Sequence, residues 1–124
     1  MPYSIKHNPL PDFIELMLRG ATTGTDLREA TTKCISLGKQ IGSTRFLVDA
    51  TGASLAASMI DIYNLPADQY EKEDFDRQNR VAVILPVSAE ARKAAEFYET
   101  VCRNRGWCVQ VFLERQSAIH WLVR

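Results

Sequence analysis

Short apolar runs recur along the chain, and most are followed by apolar positions at helical spacing. Phe46 to Ala50 (FLVDA), Val81 to Leu85 (VAVIL) and Cys108 to Phe112 (CVQVF) read as strands. A helix follows each: Leu55 to Tyr63 with Leu55, Met59, Ile62 and Tyr63 on one side, then Ser88 to about Arg105, then Ser117 to Val123. Upstream, Tyr3 to His7 and Phe13 to Leu18 flank Asn8-Pro9-Leu10-Pro11-Asp12, which is turn chemistry, so these two strands form an antiparallel hairpin. Gly20 to Gly24 reads as loop. Asp26, with Glu29 three residues on, fits a capping box for a helix carrying Leu27, Ala30, Cys34, Leu37 and Ile41, and Gly42 ends it. Pro66 interrupts the second helix, Ala67 to Arg77 is an acidic helical connector, and Gly106 stops the helix that Ser88 caps.

Strands alternating with helices predict an α/β fold: a mainly parallel sheet of four or five strands with an N-terminal antiparallel hairpin at its edge. Strand periodicity assigns two faces. Ile14, Leu16, Leu18, Phe46, Val48, Val81, Val83, Leu85, Val109 and Val111 form a uniformly apolar face that should meet most of the helices. Glu15, Met17, Leu47, Asp49, Ala82, Ile84, Gln110 and Phe112 form a mixed face, expected to be only partly covered. If all helices lie on the first side, Met17, Leu47, Ile84 and Phe112 leave an apolar patch that the connector, the last helix or a second subunit must cover. A two-fold homodimer is the simplest form of the last option.

Composition narrows the classes. At 124 residues with 46% hydrophobic content, the expectation is one globular domain, 1–124. Fifteen basic and fifteen acidic residues cancel, which gives no electrostatic footprint for nucleic acid or an anionic membrane. No apolar run approaches the ~20 residues of a membrane span, and MPYSIKHNPLPD has no signal-peptide pattern. Cys34, Cys102 and Cys108 cannot all pair with one another, so reduced thiols and a cytoplasmic location are expected.

Candidate chemistry concentrates in Arg45 to Ser54 (RFLVDATGAS). A turn at the carboxyl end of a parallel strand is where α/β folds place sites. Asp49, Thr51, Gly52 and Ser54 are therefore the candidate ligand-binding residues, with an anion favoured at the following helix N-terminus. The bland reading makes Ser54 an N-cap and Gly52 a turn residue. Neither GxxxxGK(S/T) nor GxGxxG occurs. His7 and His120 are far in sequence from the cysteines at any zinc-ligand spacing, and Cys102-x5-Cys108 fits no common zinc pattern, so no metal and no cofactor is expected. Cys34 and Cys102 read as core residues. The stretch Asp68 to Arg77, with five acids and two bases, reads as a solvated helix face, or else as a docking surface for a basic partner. Tyr70 and Phe75 would anchor it, and Tyr98 and Trp121 read as core.

The order hairpin, helix, VDATGAS, helix, VAVIL, helix, CVQVF, helix resembles the STAS domains, named for sulfate transporters and anti-sigma factor antagonists. The pattern Val109-x-Val111-Phe112 followed by Ala118-x-x-Trp121-Leu122 is similar to the SpoIIAA-like branch. The resemblance spans nearly the whole chain on short apolar motifs. It implies sequential strand order and a binding or regulatory module rather than an enzyme. STAS antagonists carry a phosphorylatable serine in an Asp-Ser-x-Gly motif, and by position Ser58 falls nearest to it. The flanking acid and glycine are absent here, whereas Val48-Asp49-x-x-Gly52-x-Ser54 is kept. The resemblance thus makes Ser58 and Ser54 the candidate phosphorylation sites. The leading functional expectation is a non-catalytic module that binds a protein partner or itself. The alternative is a carrier or sensor of a small anion or apolar molecule at the Asp49–Ser54 crevice, and a hydrolase-like enzyme is a third reading.

Overall fold

The computed structural model describes residues 2–124. Five strands form one sheet in the order β1-β2-β3-β4-β5: β1 (Tyr3–Pro9), β2 (Asp12–Thr22), β3 (Arg45–Leu55), β4 (Arg80–Ile84) and β5 (Cys108–Phe112). β1 and β2 are antiparallel and form the edge hairpin, while β2 to β5 are mutually parallel. The helices are α1 (Gly24–Ile41), α2 (Met59–Asn64), α3 (Tyr70–Lys72), α4 (Ala89–Asn104) and α5 (Arg115–Val123). The mixed sheet with its edge hairpin is the α/β architecture that the alternation predicts.

Several boundaries move, each for a local reason. β2 runs on through the expected Gly20–Gly24 loop to Thr22, because β3 continues beside it: Arg19 faces Gly52 and Thr22 faces Leu55. The ladder survives an irregularity between Met17 and Arg19, where two β3 residues oppose one on β2, the signature of a bulge. α1 is capped by Thr23 rather than Asp26. Thr23 Oγ1 accepts from the Asp26 amide at 3.1 Å, and the Asp26 carboxylate accepts from the Thr23 amide at 2.9 Å. Asp26 is therefore the third helical residue of the box, and Glu29 has no part in it. Gly42 ends α1 in the left-handed region at φ 73°, where a glycine carries no Cβ penalty.

Pro66 does not end the second helical segment. It lacks the N–H that would continue the α ladder. The chain instead takes a π turn over Leu65–Gln69, closed by the Tyr70 amide donating to Leu65 O, before α3. The Trp107 indole N–H holds this turn from across the core by donating to Pro66 O at 3.0 Å. Tyr70, Phe75 and Trp107 stack edge-on or tilted at centroid distances of 5.0–5.8 Å, so the connector is anchored as expected. Its polar side is also occupied. Gln69 and Thr32 both donate to Glu73 Oε2, and Lys39 donates to Glu73 O.

The helices lie on both faces of the sheet. The uniformly apolar face packs Ile14, Leu16, Leu18, Phe46, Val81, Val83 and Val109 with Ala30, Cys34 and Ile35 of α1, Leu65 and Tyr70 of the connector, and Cys102 of α4. The mixed face is covered by α5: Leu47, Ala82 and Ile84 share a cluster with Phe13, Ala118 and Leu122. Leu47 and Leu122 are wholly buried. The exposed patch expected on this face is therefore absent. The last helix covers it, and the argument for a homodimer built on that patch falls.

Candidate functional site

The RFLVDATGAS segment does not form a turn. Thr51 to Leu55 stay in β3, and α2 starts only at Met59. Ser54 is consequently no N-cap. Side chains along β3 alternate faces, and the four candidates separate. Asp49 points toward α5. Its Oδ1 accepts from the Thr51 amide at 3.0 Å, and its Oδ2 lies 3.5 Å from Arg115 Nη1. Thr51 and Gly52 are exposed on the strand. A Cβ on Gly52 would meet only Leu18 O at 3.8 Å, an ordinary contact, so nothing there demands glycine. Ser54 is exposed at the rim of a cavity on the opposite side of the sheet.

Asp49 belongs to an ion cluster. Arg115, in the first turn of α5, donates to both carboxylate oxygens of Glu15, Nη1 to Oε2 at 2.8 Å and Nη2 to Oε1 at 2.5 Å. Lys6 Nζ, on the neighbouring strand β1, stands 4.0 Å from Glu15 Oε1. The Glu15 side chain is 2% exposed, so this fork satisfies a charge that water cannot reach. At the far end of α5, Arg80 Nη1 donates to Trp121 O and Arg124 O at 2.9 and 3.0 Å. One arginine at each end thus fixes α5 on the sheet. Face alternation had placed Glu15 and Asp49 together among apolar neighbours. Arg115 is their partner, and it precedes the apolar pattern that begins at Ser117, so periodicity alone does not reveal it.

Ser58 is exposed and is the N-cap of α2. Its Oγ accepts from the Asp61 amide at 3.0 Å, and Asp61 Oδ2 accepts from the Ser58 amide at 3.1 Å. These hydrogen bonds, first that from the Ser58 backbone, hold the Asp61 carboxyl below its ordinary value of 3.8, with the nearby Arg28 adding a smaller pull. A group with a depressed native pKa contributes above its unfolded value and loses that contribution as pH falls, so the Ser58 cap is complete at neutral pH. Gly24, at the start of α1, makes room for this cap: a Cβ there would sit 2.4 Å from Asp61 Oδ2. Beside Ser58, Met59 and Ile60 are 44% and 68% exposed. Val87, 77% exposed, follows β4, and Leu113, 70% exposed, follows β5. The Val87 amide reaches Thr51 O at 3.4 Å. Thr51, Gly52, Ser54 and Ser58, like the exposed Met59, Ile60, Val87 and Leu113, thus all lie at or just beyond the carboxyl ends of the parallel strands.

Beneath this end, between the apolar sheet face and α1, α2 and α4, lies a cavity of about 160 Å³. Leu18, Ala53, Ile62, Leu65, Ala94 and Tyr98 are among its lining residues. Native interiors contain few voids of this size. Two of the cavity's lining residues, Tyr70 and Tyr98, hydrogen-bond through their hydroxyls. Burial pushes both phenols well above their ordinary value, so both stay protonated.

The remaining candidate chemistry is dispersed. His7 pairs with Asp12 at the hairpin, and His120 is exposed on α5. Cys34 and Cys102 are core residues whose thiols burial pushes up to about 12, which leaves no thiolate at neutral pH. Among the described residues, no group of His, Cys, Asp and Glu could hold a metal ion, and no helix is long and apolar enough to cross a membrane.

No family model and no curated protein matches the chain. Solved structures do. One is an uncharacterized protein of the DUF3478 family with a SpoIIAA-like fold from Shewanella loihica PV-4. It is 17% identical, with a TM-score of 0.58 over 97% of this chain and 91% of that one. Another is the anti-sigma factor antagonist SpoIIAA in its unphosphorylated form, 16% identical, with a TM-score of 0.57 over 96% of each chain. The chain has the SpoIIAA-like fold. At these identities the likeness is one of fold.

Proposed function

We propose that this chain is a non-catalytic, cytoplasmic regulatory module that acts by binding a protein partner at the carboxyl end of its parallel strands. The observation that carries the reading is that the exposed apolar side chains Met59, Ile60, Val87 and Leu113 all follow the carboxyl ends of parallel strands, Met59 and Ile60 directly beside the exposed cap serine Ser58. Exposed apolar side chains at one end of a sheet fit a surface that is covered intermittently. The structural relative described as an anti-sigma factor antagonist in an unphosphorylated form supports a regulatory role of this kind. Three free cysteines accord with a reducing compartment.

Ser58 is the leading candidate switch, and Ser54 the second; both are accessible to a modifying enzyme. Asp is as good an N-cap as Ser, whereas Ala loses the cap at a cost of about 1 kcal/mol. Ser58→Asp should therefore leave the melting temperature within a degree or two of the parent while changing partner affinity, and Ser58→Ala should lower it by roughly 4 °C. Calorimetry together with partner titration checks this. Equal partner affinity for all three proteins would remove Ser58 from the interaction.

The second reading, a carrier or sensor of a small molecule, is favoured by the cavity. Of the original candidate crevice, only the Ser54 side of β3 borders that space, while Asp49 is engaged by Arg115.

A further inference from the structure

The cavity's shape comes from specific sequence choices. α4 turns Ala91, Ala94 and Ala95 toward it, and β3 contributes Ala50 and Ala53, where larger side chains would have closed the space. Its walls are otherwise aliphatic and aromatic. The Tyr70–Tyr98 hydroxyl pair interrupts them. Two hydroxyls carry two hydrogens, and their mutual bond uses one. The Cys102 thiol, outside the cavity lining, competes for the second, so what the pair offers the cavity is its lone pairs, as acceptors for a ligand O–H or N–H. A mostly apolar pocket with a single convergent polar spot is the usual form of a small-molecule site.

We propose that this cavity binds a compact, apolar, ring-sized molecule bearing one hydroxyl or N–H, with the ring among Leu18, Ile62 and Leu65 and the polar group on the Tyr70–Tyr98 pair. The inference rests on the ligand-binding reading and is independent of the protein-interaction reading. Size sets the class: an apolar cavity of roughly 150 Å³ accommodates benzene, and this one is about 160 Å³. Ser54 and Leu55, which line the cavity and reach solvent, mark its mouth. The same ligand would touch Ile62 and Leu65, on the helical segment whose outer residues are Met59 and Ile60. Occupancy of the cavity would therefore steady the segment that carries Ser58.

The test is a titration of the purified protein with phenol and with toluene, followed by the NMR methyl signals of Ile62 and Leu65. Both probes should shift these signals saturably at millimolar concentration and raise the melting temperature by about 3–6 °C. Ala94→Leu, or Ala50→Val should the first variant fail to fold, should abolish both effects. The double variant Tyr70→Phe with Tyr98→Phe removes the hydroxyl pair without stranding one partner. It should keep toluene and weaken phenol at least tenfold. Absence of saturable shifts in the parent overturns the site. So does undiminished binding to a folded cavity-filled variant. Equal effects of the tyrosine pair on both probes overturn the ligand class.

Discussion

Arg115→Ala should destabilise the protein by about 2–4 kcal/mol, a loss of roughly 10 °C in melting temperature. The reason is not the strength of the pair but the state of the charge left behind. Glu15 would remain in the sheet face with its side chain 2% exposed, and Lys6 at 4.0 Å is its nearest remaining cation. Arg115 itself is 44% exposed, which keeps the expected cost toward the lower part of the range for a fully buried pair. Replacing both partners, as Glu15→Leu with Arg115→Leu, should cost far less, because neither charge then needs solvation inside the protein. Thermal and denaturant unfolding of the two proteins decides the point. A single variant no worse than the double would mean that Glu15 is solvated after all.

Leu47→Glu should leave the protein largely unfolded at room temperature. Leu47 is wholly buried among Phe13, Ala82, Ile84, Ala118 and Leu122, and a carboxylate placed there has no partner. Truncation alone, as Leu47→Ala, should cost about 2–5 kcal/mol. By contrast, Ile60→Asp changes a side chain that is 68% exposed and should alter stability by no more than about 0.5 kcal/mol. Circular dichroism and denaturant melts separate these cases. A well-folded Leu47→Glu protein would mean that α5 does not cover the mixed face, and would reopen that face for a second subunit.

Much of the fold is legible in the sequence because each strand face keeps its own chemistry. Ile14, Leu16 and Leu18 alternate with Glu15 and Met17, and Val81 and Val83 alternate with Ala82 and Ile84, so the faces can be assigned before any contact is known. Gly42 and Ser88 mark helix ends through strong local preferences, and the structure keeps both. What the sequence hides is the pairing of distant segments. The β3 strand continues through Thr51-Gly52-Ala53-Ser54 only because β2 runs beside it to Thr22, and glycine and serine in isolation read as a turn. Ser58 is named by family position, but its capping box with Asp61 is a local signal visible in Ser-x-x-Asp, obscured by starting the helix at Leu55. The Glu15–Arg115 fork joins residues a hundred positions apart, and the cavity is a property of alanines from two elements facing each other. Neither leaves a periodic trace.

Affinity capture from the cells that produce this chain, comparing the parent with Ile60→Asp, tests the central claim most directly. Both proteins should be recovered folded and in equal amount. The parent should retain a partner in near-stoichiometric yield, and the partner should be lost from Ile60→Asp by an order of magnitude or more, as expected for an apolar anchor at an interface. Identical sets of retained proteins, at equal yield, would contradict the assignment of this end of the sheet as the interaction surface.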